Sequence, residues 1–196
     1  VTSTFEPSTS RHSLVAQVWT RAGQLSLAMD RIGESESYLT EALRLRLLHK
    51  LPLLESSYRS LARLRLLQHR PADARNLLAA AERSRGTAPA RGAQWAWEAD
   101  KAAVFAANGQ SRPARRAFAA SLAQARRWRA GVLPAQSSVL ASEVSAAQVA
   151  EEYAVFLANS ARQVPNDPSA REGFLVLETA RAEAFRSELI YSAWRQ

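Results

Sequence analysis

The chain has 196 residues, 47% of them hydrophobic, and its formal charge of +8 comes from 24 Arg and two Lys against 18 acidic side chains. A chain of this length and composition can bury one core of ordinary domain size, which excludes wholesale disorder. It has no cysteine, which excludes disulfides, thiolate metal sites and cysteine nucleophiles within it. No apolar run approaches the ~18–20 residues that span a bilayer, so no membrane span is expected. Residue 1 is Val rather than Met, so processing (removal of a signal peptide included), trimming and excision from a longer chain all stay open.

The first ten residues, "VTSTFEPSTS" (1–10), read as a polar leader. After it no stretch alternates apolar and polar with period two. Apolar residues recur at three and four instead, beginning with Leu14, Val15, Val18, Trp19, Ala22, Leu25 and Met29. Breaks fall at "HKLP" (49–52), "RGTAPARG" (85–92), "GVLP" (131–134) and "VPNDPS" (164–169). The pattern predicts eight helices, over 10–29, 34–49, 53–69, 71–85, 93–108, 112–130, 135–162 and 168–194, and no strand. Pro71, Pro113 and Pro168 stand at helix starts, where a missing N–H costs nothing. Ser111 and Asp167 are the expected N-caps beside two of them.

The opening hairpin recurs. Trp19, Ala22, Gly23, Ser26, Asp30, Ser35, Leu39 and Ala42 define offsets 0, 3, 4, 7, 11, 16, 20 and 23. Moving 39 residues on gives Tyr58, Leu61, Ala62, Arg65, His69, Ala74, Leu78 and Ala81, and 40 more gives Glu98, Lys101, Ala102, Phe105, Gly109, Ala114, Phe118 and Ser121. Small residues therefore recur at offsets 4, 16 and 23, and a large apolar one at offset 20. Where two helices cross, a small side chain lets the backbones approach and a large one fills the space beyond. Self-similarity at a fixed period marks a solenoid.

These residues resemble the tetratricopeptide repeat, whose signature places Trp, Leu-Gly, Tyr, Gly, Ala, Phe or Tyr, and Ala at the same offsets. Trp19, Gly23 and Ala42 match in the first copy, Leu61, Ala74 and Ala81 in the second, and Phe105, Gly109, Ala114 and Phe118 in the third. Glu98 and Lys101 depart from the aromatic and Leu, and Asp30 and His69 replace the turn glycine. The 39–40-residue spacing exceeds the usual ~34 by about one and a half helical turns, as in the long-helix variety of the repeat. The resemblance implies an all-α fold, a right-handed α-solenoid of about four antiparallel helix pairs. The helical repeat domain would cover 11–196, with repeats at 11–50, 53–86, 93–130 and 135–194.

The tail "GFLVLETARAEAFRSEL" (173–189) is similar to the last helix before the caspase-like protease domain of bacterial CHAT proteins. Gly173, Phe174, Glu178, Arg181, Ala182 and Phe185 fit that pattern, and Arg186 stands where it has a second Leu. The preceding "SAAQVAEEYAVFLANSA" (145–161) fits the usual run-up. The resemblance implies a bacterial, cytoplasmic, protein-binding regulatory scaffold, the N-terminal sensor region of such a protease. The catalytic Cys and His would then lie in a following domain, itself a possible partner of this one. Two other readings stay open: the sensor domain of a bacterial transcription regulator, and an RNA-binding helical repeat using the stretch from Arg112 to Arg129.

No catalytic, cofactor-binding or metal-binding constellation is legible, and no enzyme or cofactor is expected in this region. His12, His49 and His69 are isolated in sequence. Glu34/Glu36 and Glu151/Glu152 read as helix-surface charge, and no Gly-rich phosphate loop is present. Residues 101–142 carry seven basic and no acidic side chains, and 143–196 carry five basic and eight acidic. Oppositely charged neighbours facing each other is the bland reading of that asymmetry, nucleic-acid binding the sharper one. Trp19 reads as packing. Of Trp95 and Trp97, one is expected to face the neighbouring repeat and one a groove or solvent. Trp128 is expected to close a helix end.

In the tetratricopeptide family the first helix of each pair lines the concave wall. The resemblance carries this role onto Gln17, Thr20 and Gln24, onto Ser56, Arg59 and Arg63, and onto Ala99 and Ala103, with Leu27, Leu66, Ala96 and Ala106 beside them. Arg59 and Arg63, four apart on one face, would clamp a carboxylate or an acidic peptide. On a helical wheel of the last helix, Val176, Leu177, Ala180, Ala184, Tyr191 and Trp194 cluster on one side. Phe174, Leu175, Ala182, Phe185 and Leu189 cluster on another. One side would pack inward. The other, with Phe174, Phe185 and Leu189, is the expected junction with a following domain, another chain or a partner.

Overall fold

The computed structural model describes residues 7–85, 94–131, 146–163 and 167–194. Those residues form eight helices: α1 (Pro7–Ala28), α2 (Ile32–Leu48), α3 (Leu54–Leu67), α4 (Pro71–Arg85), α5 (Gln94–Ala107), α6 (Ser111–Gly131), α7 (Ala146–Gln163) and α8 (Ser169–Trp194). Among the described residues there is no strand, and no helix is long and apolar enough to cross a membrane. The fold is all-α, built of helix pairs in which α1 packs on α2, α3 on α4, α5 on α6 and α7 on α8. Contacts divide the chain into two compact units, Val1–Ala90 and Arg91–Gln196, each holding two pairs.

The boundaries differ from the sequence reading in small ways. Helix α1 begins at Pro7, inside the stretch read as a leader, and α2 begins at Ile32. Residues 135–145 of the expected seventh helix lie outside the described residues.

The three pairs that share the repeat also share one turn. Asp30, His69 and Gly109, all at offset 11, have φ of +58°, +56° and +72°. The N–H of the next residue donates to the carbonyl five residues back: Arg31 to Ser26 at 2.8 Å, Arg70 to Arg65 at 2.8 Å, and Gln110 to Phe105 at 2.9 Å. This is the Schellman closure of a helix, with its left-handed residue just past the end. That next residue then starts the second helix, its carbonyl accepting from Ser35, Ala74 or Ala114 at 3.0–3.1 Å. The cap position of α6 is thus Gln110 and not Ser111, which is already helical. One residue has to serve both helices here, and its backbone rather than its side chain makes the cap. Asp167 stands one residue before the cap of α8: the Pro168 carbonyl accepts the first helical bond, from Glu172 at 3.0 Å, and Asp167 Oδ1 accepts from the Ser169 N–H at 2.8 Å. Those bonds, hydroxyl and backbone N–H of Ser169, hold the Asp167 carboxyl below its ordinary pKa.

The offsets that carry the repeat are interior. Ser35, Ala74 and Ala114 are buried, as are Ala42, Ala81 and Ser121, and the large residues Leu39, Leu78 and Phe118. Gly23 shows why the crossing residue is small. A Cβ built there would lie 2.6 Å from Leu39 Cγ, too close to be accommodated without movement.

Candidate functional site

In the first unit the residues expected on the concave wall lie along α1 and α3, and they divide into surface and interior. Gln17 is exposed, and Gln24, Ser56, Arg59 and Arg63 are half-buried. Gln24 Nε2 donates to Ser60 Oγ at 3.2 Å, tying α1 to α3. Arg59 pairs with Glu55 at 3.7 Å, one turn back on its own helix. Helix α1 carries no acidic side chain and α3 carries one, Glu55.

Thr20 is a correction: it is buried, not a wall residue. Its hydroxyl donates to the Ala16 carbonyl at 2.8 Å and accepts from Arg46 Nη1 at 2.7 Å. Arg46 Nη1 also donates to Ser57 Oγ. Arg46 is 2% exposed, and burial pulls its pKa below the usual guanidinium value. Sequence reasoning missed this residue. The available signal was an arginine at a stripe position inside "LRLRLL" (43–48).

Several other polar groups are assigned work that spacing did not reveal. Glu36, read as surface charge, accepts from Arg65 Nη1 at 2.6 Å and from Gln68 Nε2 at 2.8 Å, joining α2 to the end of α3. Arg65, then Gln68, hold its carboxyl below the usual range. Glu34 remains a surface residue, 3.7 Å from Arg31. His12 and His49, read as isolated, stack with ring centroids 3.8 Å apart and planes 8° from parallel. Imidazole lone pairs lie in the ring plane, so two parallel rings cannot converge on one ion. Among the described residues no group of three His, Asp or Glu side chains is placed to hold a metal.

In the second unit Ala99 is another correction. It packs into the core with Trp95, Ala102 and Phe118, and only Ala103 of the expected wall pair is partly accessible. Trp95 and Trp97 are both buried, so neither lines an open groove. The Trp128 side chain lies outside the described residues. The basic helix α6 meets acid within the unit. Arg115 donates to Ser169 Oγ and lies 3.5 Å from Glu172, and Arg126 pairs with Glu183 at 2.7 Å. This is the bland reading of the charge asymmetry. Tyr153 donates its hydroxyl to Glu172 at 2.7 Å, and burial first, then Glu172, raises its pKa above the usual phenol value.

Helix α8 has two opposite faces. Val176 packs against the core, and Val176, Ala180 and Glu183 line a shallow hollow with residues of α6 and α7. On the other side Phe174 is 62% and Phe185 63% exposed, with Leu175 also exposed. The Leu189 side chain lies outside the described residues. No family model matches this chain and no curated protein matches it.

Proposed function

We propose that this chain is a protein-binding regulatory scaffold of the tetratricopeptide type, and that it serves as the N-terminal sensor region of a bacterial, cytoplasmic CHAT protease. The observation that carries the binding role is the chemistry of the α1–α3 face. Gln17, Gln24, Ser56, Arg59 and Arg63 border it, and Glu55 is the sole carboxylate on either helix. A partner segment's carboxylate can add to the bonds these arginines already make, because a guanidinium carries five N–H donors in a fixed fork. Binding shifts an adjoining effector only as far as the partner prefers one of its states. The RNA reading draws less support, since Arg115 and Arg126 already face Glu172 and Glu183.

Panning a random-peptide display library against the chain tests the binding role. Selected peptides should be acidic and should lose binding to the Arg59→Glu, Arg63→Glu double variant, which stays folded by circular dichroism. Neutral or basic selected peptides, or acidic ones that bind the variant equally, would overturn it. The reading frame around the chain tests the finer assignment. A caspase-like domain supports it, and a DNA-binding domain replaces it with the transcription-regulator reading.

A further inference from the structure

Along α8 the residues Arg171, Phe174, Glu178, Arg181, Phe185 and Glu188 follow one another at spacings of three and four. That alternation keeps all six on one stripe of the helix, the seam spacing of a two-helix coil. The stripe lies opposite the face that packs through Val176, Ala180 and Glu183. Arg171, Phe174, Glu178, Arg181 and Phe185 are all exposed. Phe174 and Phe185 are open to water on that stripe with Glu178 and Arg181 between them, and a cover would bury both rings.

The order of residues on this stripe specifies the cover. Read about a point between Thr179 and Ala180, the stripe is its own complement. Phe174 mirrors Phe185, Glu178 mirrors Arg181, and Arg171 mirrors Glu188. We propose that two copies of this chain associate through α8, antiparallel about a two-fold axis at that point. Phe174 of one copy then meets Phe185 of the other. Each Glu178 meets an Arg181 across the axis while keeping the Arg181 of its own helix, 2.8 Å away. Two glutamates and two arginines thereby alternate around the axis as a network, which is worth more than isolated surface pairs. A parallel arrangement would set Arg171, Glu178 and Arg181 each against its own like charge, so the sequence selects the antiparallel one. A two-fold axis closes the assembly at two chains.

Sedimentation over a concentration series, using the whole chain, tests the inference. The parent should form a species of twice the 21.6 kDa chain mass. Arg181→Glu and Glu178→Arg, each alone, should weaken association at least tenfold, because each makes the centre all-acidic or all-basic. Mixing the two variants should restore a dimer. Phe174→Asp with Phe185→Asp should give a folded monomer. The chain has no cysteine, so a nitroxide on Ala170→Cys reads the orientation. Labels about 30 Å apart fit the antiparallel pairing, and about 10 Å a parallel one. A monomeric parent, a dimer indifferent to either charge reversal, a label distance near the shorter value, or unfolding of the double Asp variant would each overturn the proposal. None of these results bears on the α1–α3 face, whose test is separate.

Discussion

The two units share one hairpin geometry and hold their helix pairs together by different chemistry. In the first unit polar groups link the pairs around a small apolar cluster of Leu39, Leu61 and Leu64. Arg46 of α2 reaches Thr20 of α1 and Ser57 of α3, Gln24 of α1 reaches Ser60 of α3, and Glu36 of α2 takes Arg65 and Gln68. In the second unit aromatic rings form the core of the link, with Arg115 and Arg126 of α6 pairing to Glu172 and Glu183 of α8 at its edge. Phe118 of α6 stacks on Tyr153 of α7 at 5.1 Å and meets Phe156 at 5.7 Å, in a core that also holds Trp95, Val149 and Leu157. Within a pair, the small residues at offsets 4, 16 and 23 set the backbone spacing in both units. Between pairs the filling is free to vary. Hydrogen bonds are directional and fix orientation at small net gain, whereas buried rings contribute area and so most of the stability.

The largest effect should therefore fall in the second unit. Phe118 is 2% exposed at the centre of its cluster, and Phe118→Ala should cost about 3–5 kcal/mol, a transfer term plus a cavity. Urea unfolding followed by circular dichroism measures this. A loss below about 1 kcal/mol would mean that the rings do not hold the unit.

The first unit offers a sharper test of the shared geometry. Ala74 sits at the α3–α4 crossing with no exposed surface, so Ala74→Leu should overpack it at about 1–3 kcal/mol. Its exposed neighbour Arg75 is the control. Arg75→Leu should shift stability by no more than about 0.5 kcal/mol. Equal melting temperatures for the two variants would place the crossing elsewhere.

Most of the backbone was legible before any coordinates, because spacing encodes which face of a helix is buried. The expected helix start at 71 coincides with that of α4, and every small residue at offsets 16 and 23 is interior. Polar partnerships were not legible. Thr20 and Ala99 carry over to a concave wall by offset, yet both are interior, since offset fixes a helix face and not how deeply a neighbour covers it. The His12–His49 stack joins residues 37 positions apart, and Arg46 is buried because two hydroxyls on other helices receive it. Side-chain length and reach decide such pairings, and a periodicity argument contains neither. Phe174, Leu175 and Phe185, grouped on one side of the last helix by the wheel, are all exposed, because that grouping depends on one helix alone.

The pH response should separate the units. Glu36 has its carboxyl pKa lowered by Arg65 and Gln68, so the fold favours its ionised form. That contribution is complete above the ordinary carboxylate range and is lost as pH falls through the lowered value. Tyr153 is the reverse case, raised by burial and by Glu172. Its contribution is complete below the ordinary phenol value of 10.0 and is lost as pH rises beyond it. Glu36→Gln should flatten the acid limb of the stability profile and leave the alkaline limb alone. The Glu36 side chain is 39% exposed, which keeps its effect small. Tyr153→Phe should flatten the alkaline limb. Melting temperatures across pH for both variants check the pairing, and an exchanged assignment would contradict it.

The smallest effect concerns the turn that both units share. The left-handed backbone suits Gly109, is tolerated by Asp30 and strains His69, whose Cβ crowds the carbonyl that follows. His69 is exposed, so its side chain offers little packing to lose. His69→Gly should relieve that strain against a loss of unfolded-state restriction, for a net gain of about 0.5–1 kcal/mol. Gly109→Ala should cost a similar amount, since nothing lies within 4 Å of a Cβ built there and the penalty is conformational alone. Opposite signs at two equivalent positions would show that one backbone conformation is imposed in both units. A destabilised His69→Gly would mean instead that the imidazole contributes a contact that outweighs the strain.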